Sequence, residues 1–143
     1  MPLHLRTTKD IPATPERVWA VLSDLDAYVE WNPFIPSAAG KLTEGERLDI
    51  RVQPPEGRAT RFRPTVQAAT PNRELRWLGH LGVRGIFDGE HRFAIEPTAT
   101  GSRLTHEERF SGVLVPLFAK GLRRRYLPAF EEMNAALAAR VAA

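Results

Sequence analysis

Three side chains in the second half of the sequence are of types that can move a proton together. His91, His106 and Glu108 fall, by the parity of strand alternation, on faces that also carry Phe93 and Phe110. In an apolar cavity a carboxyl group ionises less readily, and an adjacent imidazole can exchange a proton with it. Such a pair suits an aldol cyclisation or a dehydration, which removes and returns protons beside a carbonyl. The same residues are also consistent with a hydrogen-bonded cluster that orients a ligand or ties strands together, and buried groups of this kind are often structural.

Other classes of reactive site find little support in the sequence. The two histidines are not at helical HxxxH spacing, and no second-ligand signature for a metal accompanies them. Cysteine is absent, which excludes disulfides, thiolate nucleophiles and sulfur-ligated metals. There is no phosphate-binding Gly-rich loop, HExxH or G-x-S-x-G motif. We therefore expect neither a metal nor a cofactor.

A larger set of aromatic, glycine and leucine positions is a candidate lining for a small-molecule cavity. Glycines at inward positions leave space that a closed core would fill with side chains. Tyr126 adds a hydroxyl group that needs a partner if it is buried. Each aromatic taken singly is explained as well by core packing. The candidate ligand-binding residues are Trp31, Phe34, Phe62, Trp77, Gly79, Phe87, Gly89, Phe93, Phe110, Phe118, Leu122 and Tyr126.

A long C-terminal helix must position part of this set. Between Leu114 and Val141, apolar residues recur at three- or four-residue spacing and form one stripe, with charged residues mostly off it. Pro116 suits a first turn, whereas the ring of Pro128 meets the carbonyl of Arg124 and predicts a kink there. The stripe consists of Phe118, Leu122, Tyr126, Phe130, Met133, Leu137 and Val141.

The residues before this helix predict two short helices and a series of strands. Residues 3–9 alternate as a first strand, a helix begins at Thr14–Pro15 and ends near Ser23–Asp24, and a second short helix lies around Asp26–Val29. Short connections between the later strands imply an antiparallel sheet that twists and curls around the final helix. We expect one α+β domain covering residues 1–143. The further strands are predicted at 35–42, 47–53, 58–69, 74–81, 86–96 and 103–112.

The chain resembles the helix-grip fold of the START-like superfamily, also called SRPBCC, which includes birch-pollen-allergen-like and polyketide cyclase/dehydrase-like proteins. The similarity is carried by residues 11–19 (IPATPERVW), 28–34 (YVEWNPF), 75–77 (LRW) and 89–93 (GEHRF), and it extends over essentially the whole chain. It implies a cavity between a curved sheet and the long helix, in which apolar small molecules or lipids bind. Some members of this superfamily cyclise or dehydrate polyketides, and others carry or sense ligands.

Three functions are compatible with these observations. The first is binding of a small apolar or aromatic molecule between the sheet and the C-terminal helix. The second is an enzyme of the cyclase/dehydratase type that uses Glu108 with His106 or His91 as acid and base. The third is a protein-interaction module that docks a partner through apolar surface around Trp31–Ile35. Clean alternation, with charged residues on the outward faces, favours the cavity over the interface.

Composition sets outer limits on these functions. The chain has 143 residues, of which 43% are hydrophobic and 26% charged, as in a globular domain. No apolar run approaches the roughly 20 residues of a membrane span, and the N-terminus lacks the features of a secretory signal, so we expect a cytoplasmic protein. The cluster Arg123–Arg125 is interpreted as the solvent-exposed face of the helix in preference to a contact for an anion, a nucleic acid or a membrane. The expected partner is a hydrophobic small molecule, and both monomer and homodimer remain open.

Overall fold

The computed structural model describes residues 2–143. The chain begins with a strand, continues through short helical segments and seven further strands, and ends in a long helix. The strands are β1 (Leu3–Ile11), β2 (Ser37–Ala39), β3 (Asp49–Val52), β4 (Thr60–Phe62), β5 (Thr65–Thr70), β6 (Glu74–His80), β7 (Asp88–Thr98) and β8 (Gly101–Ser111). The helices are α1 (Pro15–Leu22), α2 (Tyr28–Trp31), which follows a 3-10 turn at Leu25–Ala27, and α3 (Val115–Ala142).

The main sheet contains five antiparallel strands in the order β1-β8-β7-β6-β5. Its centre is the long hairpin of β7 and β8, each of 11 residues. The first strand joins the far side of β8, with Leu3 opposite Phe110 and Ile11 opposite Ser102. This curved sheet packs its apolar face against α3, which confirms the predicted helix-grip architecture.

Strands β2, β3 and β4 form a second, three-stranded antiparallel sheet, whereas the sequence predicted that all strands belong to one antiparallel sheet. The predicted strand at 58–69 is divided into β4 and β5, because Pro64 lacks the N–H that a continuous ladder needs. The two sheets stay in contact through an antiparallel bridge between Arg47 and Thr65. A gap between the sheets is thereby left beside α3.

The short helix α1 begins and ends as local sequence rules predict. Thr14 is its N-cap and its hydroxyl accepts a hydrogen bond from the Arg17 amide at 3.3 Å, while Pro15 occupies the first turn. The Arg17 guanidinium donates to the carbonyl of Val141 at 2.7 Å. This contact satisfies one of the free carbonyls at the end of α3 and ties the two helices together.

Helix α3 is continuous from Val115 to Ala142, and Pro128 lies inside it with its ring exposed. The helix is therefore not divided at the proline, and the bend expected there stays a prediction. Its C-terminal half buries Phe130, Met133 and Leu137 completely against the sheet. Among the described residues, no helix is both long enough and apolar enough to cross a membrane.

Ion pairs cover the outer face of the main sheet. Arg92 donates to Glu107 at 2.8 Å and to Glu74 at 2.5 Å, and the imidazole of His4 contacts Glu107. Burial raises the pKa of the Glu107 carboxyl, but the hydrogen bonds from His4 and Arg92 outweigh it and leave that pKa below its usual range. Charged side chains lie on this face and apolar side chains lie on the other. This difference determines which side of the sheet each strand position faces.

Candidate functional site

A cavity of about 270 Å³ lies between the two sheets and the N-terminal half of α3. This is close to the lower end of the range of about 300–1,000 Å³ for small-molecule sites. Both sheets, the segment after α2 and the helix contribute to its wall, which is mostly apolar and aromatic. The lining residues are Phe34, Ile35, Ile50, Val52, Thr60, Phe62, Pro64, Trp77, Gly79, His80, Leu81, Phe87, Gly89, His91, Glu108, Phe110, Leu122 and Tyr126.

Nine of the twelve ligand-binding positions named from the sequence lie in this lining, and three do not. Phe93 is fully buried against the ring of His106, with centroids 4.4 Å apart, and belongs to the core beneath the cavity. Trp31 is half-buried at the end of α2. Phe118 is 52% exposed. It lies in the first turn of α3, one helical turn before the cavity residue Leu122.

The small sheet supplies lining residues that sequence reasoning missed. The strand pattern at 47–53 already showed that Ile50 and Val52 share a face, but not which surface that face would meet. These two side chains face the cavity because the two sheets are separated there. The periodicity of a single strand cannot predict that separation. The lining residues not named from the sequence are Ile35, Ile50, Val52, Thr60, Pro64, His80 and Leu81.

The segment Trp31–Ile35 does not form the exposed apolar surface that the interaction-module hypothesis required. Phe34 and Ile35 are only 3% and 1% exposed. The side-chain oxygen of Asn32 accepts hydrogen bonds from the amides of both residues, at 3.0 and 2.8 Å. This turn directs the two apolar side chains into the molecule, so the prediction of a docking surface here was wrong.

A chain of hydrogen bonds leads from the cavity wall into the core. His91 on β7 stands opposite Glu108 on β8, and its Nδ1 lies 2.6 Å from the carboxylate Oε1. The Nε2 atoms of His91 and His106 are 2.7 Å apart, and Nδ1 of His106 is 2.9 Å from the side-chain oxygen of Asn134 on α3. Both imidazoles are buried, whereas Glu108 borders the cavity. The three residues proposed from the sequence as acid and base are thus brought together.

Asn134 was missed in the sequence, although it interrupts the apolar stripe four residues after Phe130. Its side-chain nitrogen donates to the hydroxyl of Thr7 at 2.9 Å, and that hydroxyl donates to the carbonyl of His106 at 3.0 Å. The Asn134 oxygen therefore faces His106 and can only accept. Because this oxygen lies 2.9 Å from Nδ1, it places the hydrogen of His106 on Nδ1.

This arrangement determines how many protons the hydrogen-bonded residues Glu108, His91 and His106 hold together. Burial, followed by repulsion from His91, lowers the pKa of His106 well below its usual value, so the ring is neutral. With hydrogen on Nδ1, its Nε2 accepts, and His91 must donate from Nε2. His91 Nδ1 and Glu108 then share a single proton: a carboxyl donates to a neutral ring, or an imidazolium donates to a carboxylate. Both forms carry no net charge.

Gly89 makes room for the Glu108 carboxylate. A Cβ atom built on Gly89 would collide with Oε2 of Glu108. Its partner across the β6–β7 ladder is Gly79, where a Cβ atom would meet only Pro64, at an ordinary 3.6 Å. The two glycines therefore act differently, since one accommodates a functional group and the other leaves free space in the cavity wall.

The remaining polar side chains of the cavity wall are neutral or paired. Burial and the neighbouring charge of Glu108 raise the pKa of Tyr126, so its phenol stays neutral and can donate a hydrogen bond. His80 is paired with Asp88, with Nδ1 2.7 Å from Oδ1. Within residues 2–143, the lining contains no lysine or arginine to pair with an anionic ligand. Among the described residues, no group of three or more His, Asp or Glu side chains is arranged so that it could hold a metal ion.

Comparisons with known proteins agree with this architecture. The family model described as "Polyketide cyclase / dehydrase and lipid transport" matches residues 2–142. A START superfamily protein from Mycobacterium smegmatis is 23% identical, covers 97% of both chains and superposes with a TM-score of 0.75. Protein MLL2253 from Mesorhizobium loti is 22% identical, with a TM-score of 0.70 over 96% of this chain and 97% of its own.

One domain of a larger biosynthetic protein has the same fold. The di-domain ARO/CYC protein StfQ from the steffimycin biosynthetic pathway is 16% identical, with a TM-score of 0.77 over 99% of this chain and 51% of its own. At these identities the structural similarity establishes the fold and not the ligand. No curated protein matches the chain.

Proposed function

Because the chain belongs to the polyketide cyclase/dehydrase and lipid-transport family, we propose that it binds a small, uncharged apolar or aromatic molecule in its cavity. The observation that carries this proposal is the space between the two sheets and α3, whose wall is mostly apolar. Glu108 and the Tyr126 hydroxyl give that wall hydrogen-bonding groups. Apolar walls with a few placed polar groups are typical of small-molecule sites.

The ligand should carry a carbonyl or hydroxyl group and no negative charge. A carbonyl can accept from the Tyr126 phenol or from the proton that Glu108 shares with His91, and a hydroxyl can donate to the carboxylate. A buried anion would lack a cationic partner in the described lining and would face Glu108. Fatty acids and other carboxylates are therefore poor candidates.

Binding can be tested with the neutral fluorescent probe N-phenyl-1-naphthylamine. We expect a saturable rise in its fluorescence, reversed by 2-naphthol and at least roughly tenfold less effectively by 2-naphthoate, which would have to be desolvated without a counter-ion. Gly79→Leu should weaken binding of the probe because its side chain enters the cavity. Gly121→Leu is a matched control, since a Cβ there has open space around it and the residue is outside the lining.

Two results would contradict the proposal. One is the absence of saturable binding by the folded protein. The other is equal loss of binding in Gly79→Leu and Gly121→Leu, which would place the probe on the surface. Stronger displacement by 2-naphthoate than by 2-naphthol would overturn the assignment of ligand charge while leaving the cavity as the site.

Acid–base catalysis is a second candidate function, favoured by the proton shared between Glu108 and His91. In the dehydration of a β-hydroxyketone, this proton would pass to the leaving hydroxyl, and the carbon–oxygen bond would break to release water. A proton from the carbon beside the carbonyl would return to the Glu108–His91 pair, so that the pair ends as it began. The buried ring of His106 would hold His91 in the required orientation.

The substitution Glu108→Gln separates catalysis from binding and structure. Its amide keeps the shape of the side chain and can donate to His91, but it cannot transfer a proton. With 4-hydroxy-4-phenyl-2-butanone as substrate, we expect the wild type to accelerate formation of the conjugated enone and the variant to lose this activity. Probe affinity should change less than about twofold, since an isosteric change leaves the cavity intact. Equal rates for both proteins, together with a lower melting temperature of the variant, would indicate a purely structural cluster.

A further inference from the structure

Seven of the eight exposed large hydrophobic residues in the described part of the chain lie in two adjoining segments, the eighth being Val29 on α2. One segment is the β6–β7 loop, and the other is the turn before α3 together with the first turn of that helix. We call these seven residues the apolar rim. Monomeric soluble proteins rarely expose so many large apolar side chains together unless the surface meets another apolar phase. The rim consists of Leu81, Val83, Ile86, Val113, Leu114, Leu117 and Phe118.

The two segments form one continuous surface. The amide of Val113 donates to the carbonyl of Gly85, and the amide of Leu114 donates to the carbonyl of Ile86, both at 3.1 Å. Gly112 permits this approach, because it has φ +118° and a Cβ atom on it would collide with the Ile86 carbonyl. The backbone thus fixes the exposed side chains of both segments side by side.

A band of positive charge adjoins the rim. Segments 81–87 and 112–125 contain five basic residues and no acidic residue. The whole chain has a formal net charge of +3, so with +5 on these segments the remainder carries −2. The two segments of the rim therefore carry an excess of positive charge, and the acidic residue that follows the loop, Asp88, is paired with His80 and the Gly85 amide. The five cations, all exposed, are Arg84, Lys120, Arg123, Arg124 and Arg125.

The cavity lies directly behind the rim. Leu81 belongs both to the rim and to the cavity lining, and Phe87 links the two, since it lines the cavity and its ring centroid is 6.3 Å from that of Phe118. Leu122, one turn after Phe118, also lines the cavity. A molecule that moves from the rim to the cavity would pass along apolar side chains.

We propose that the apolar rim and its band of cations dock onto the surface of an anionic lipid membrane, with the cavity facing the bilayer. Apolar side chains enter the boundary between headgroups and acyl chains, while lysine and arginine pair with anionic headgroups. A second copy of this chain is a poorer occupant, because two copies meeting through this face would bring +5 against +5. This docking does not depend on which molecule the cavity binds.

The test is flotation of the full chain with vesicles of pure phosphatidylcholine and of phosphatidylcholine with one third phosphatidylserine. We expect binding to the anionic vesicles, little binding to the neutral vesicles, and loss of binding as salt is raised. Arg123→Glu/Arg124→Glu should lower the partition coefficient on anionic vesicles by roughly tenfold or more. Lys120→Glu should lower it less, and Lys41→Glu, an equal change of charge at an exposed position outside the band, should leave it nearly unchanged.

A pair of valines provides a matched control for the apolar contribution. Val83 in the rim and Val29 on α2 are 73% and 74% exposed, so the change to serine removes the same side chain at the same exposure. Val83→Ser, alone and with Leu117→Ser, should weaken binding to anionic vesicles, and Val29→Ser should not. Binding of N-phenyl-1-naphthylamine should persist in all of these variants, which separates failure of membrane docking from failure of the cavity proposal.

Several results would overturn the docking proposal. Equal effects of Val83→Ser and Val29→Ser would show that the rim does not enter the bilayer. Absence of flotation on anionic vesicles would reject the membrane as partner. A dimer that dissociates on Val83→Ser, seen by sedimentation of the protein without vesicles, would assign the rim to a second copy instead.

Discussion

Among individual side chains, the orientation of Asn134 has the widest consequences. An amide presents one acceptor and two donor hydrogens, and here the Thr7 hydroxyl takes up a donor. The acceptor is then left for His106, which fixes the tautomer of that ring and the direction of every hydrogen bond from it to Glu108. The Glu108 side chain, which is 14% exposed at the cavity wall, is thereby coupled to Asn134 on the opposite side of the core.

Stability should fall in mild acid because of His106. Its pKa is lowered from a usual value of 6.5, mainly by burial, so below about pH 6.5 the unfolded chain binds a proton that the folded chain excludes. The free energy of unfolding contributed by this residue therefore decreases as pH falls below that value and is constant above it. One proton limits the slope to about 1.4 kcal/mol per pH unit.

Urea unfolding between about pH 5 and 7.5 checks this expectation, on the scale of an unperturbed histidine. In His106→Gln, the acid-dependent loss of stability should be smaller than in the wild type, and His4→Gln on the outer face is the control. His91, which faces His106 directly, and Glu108 beyond it are present in both proteins, so the difference reports His106 together with its contact to His91. Parallel pH profiles for wild type and His106→Gln would contradict the assignment.

Among the elements, α3 performs two tasks along its length. Just past its midpoint, Phe130 stacks on His106 with ring centroids 4.2 Å apart and fills the space above the sheet. Nearer the N-terminus, Leu122 and Tyr126 border the same cavity as the paired glycines of β6 and β7. Because those two strand positions have no side chains, the cavity lies at this part of the helix and not at the other.

The paired glycines Gly79 and Gly89 should respond oppositely to alanine. Gly79→Ala should be neutral or stabilise by up to about 1 kcal/mol, because it reduces the entropy of the unfolded chain and its Cβ makes an ordinary contact. Gly89→Ala should destabilise by about 1–3 kcal/mol, because its Cβ collides with one oxygen of the Glu108 carboxylate while the other oxygen is held by His91. The measurement is the free energy of unfolding from urea denaturation.

A double substitution identifies the cause of the loss. If the collision with Glu108 is responsible, Glu108→Ala introduced together with Gly89→Ala should cost less than the two separate changes combined. Strict additivity of the two changes would show that the strand, and not the carboxylate, is sensitive to the new side chain.

For the molecule as a whole, the division into two sheets places the cavity between a main sheet and a small sheet that differ in local stability. The main sheet pairs β7 with β8 over their full length, from Asp88 opposite Ser111 to Thr98 opposite Gly101. The small sheet has strands of three, four and three residues, and β4 is largely exposed. Short, exposed ladders open locally at lower free energy than long central ones.

Hydrogen exchange should reveal this difference. Amides of β2, β3 and β4 should exchange faster than those of β7 and β8, and saturation with N-phenyl-1-naphthylamine should slow the small sheet more than the large one. The reason is that Ile50, Val52 and Thr60 lie in the cavity wall, so that a bound molecule bridges the two sheets. Uniform protection of both sheets, or slowing confined to β7 and β8, would contradict this account.

The sequence by itself determined the elements and the faces of their residues. Two-residue alternation predicted that His91 and His106 point inward, and both are buried. Three- and four-residue spacing predicted the final helix, and Thr14 with Pro15 predicted the start of α1. These features are local, because the direction of a side chain follows from the backbone period within a few residues.

Only the tertiary structure decided which residues meet. The register that sets His91 opposite Glu108, the pairing of β1 with β8 and the contact of Asn134 with His106 join residues that are far apart in the chain or on different elements. Periodicity gives the side of a strand and not its partner, since a partner depends on loop geometry and on packing of the whole core. Packing also explains why Phe118 lies outside the cavity although it belongs to the predicted stripe. The first turn of α3 extends beyond the part of the helix that the sheet covers.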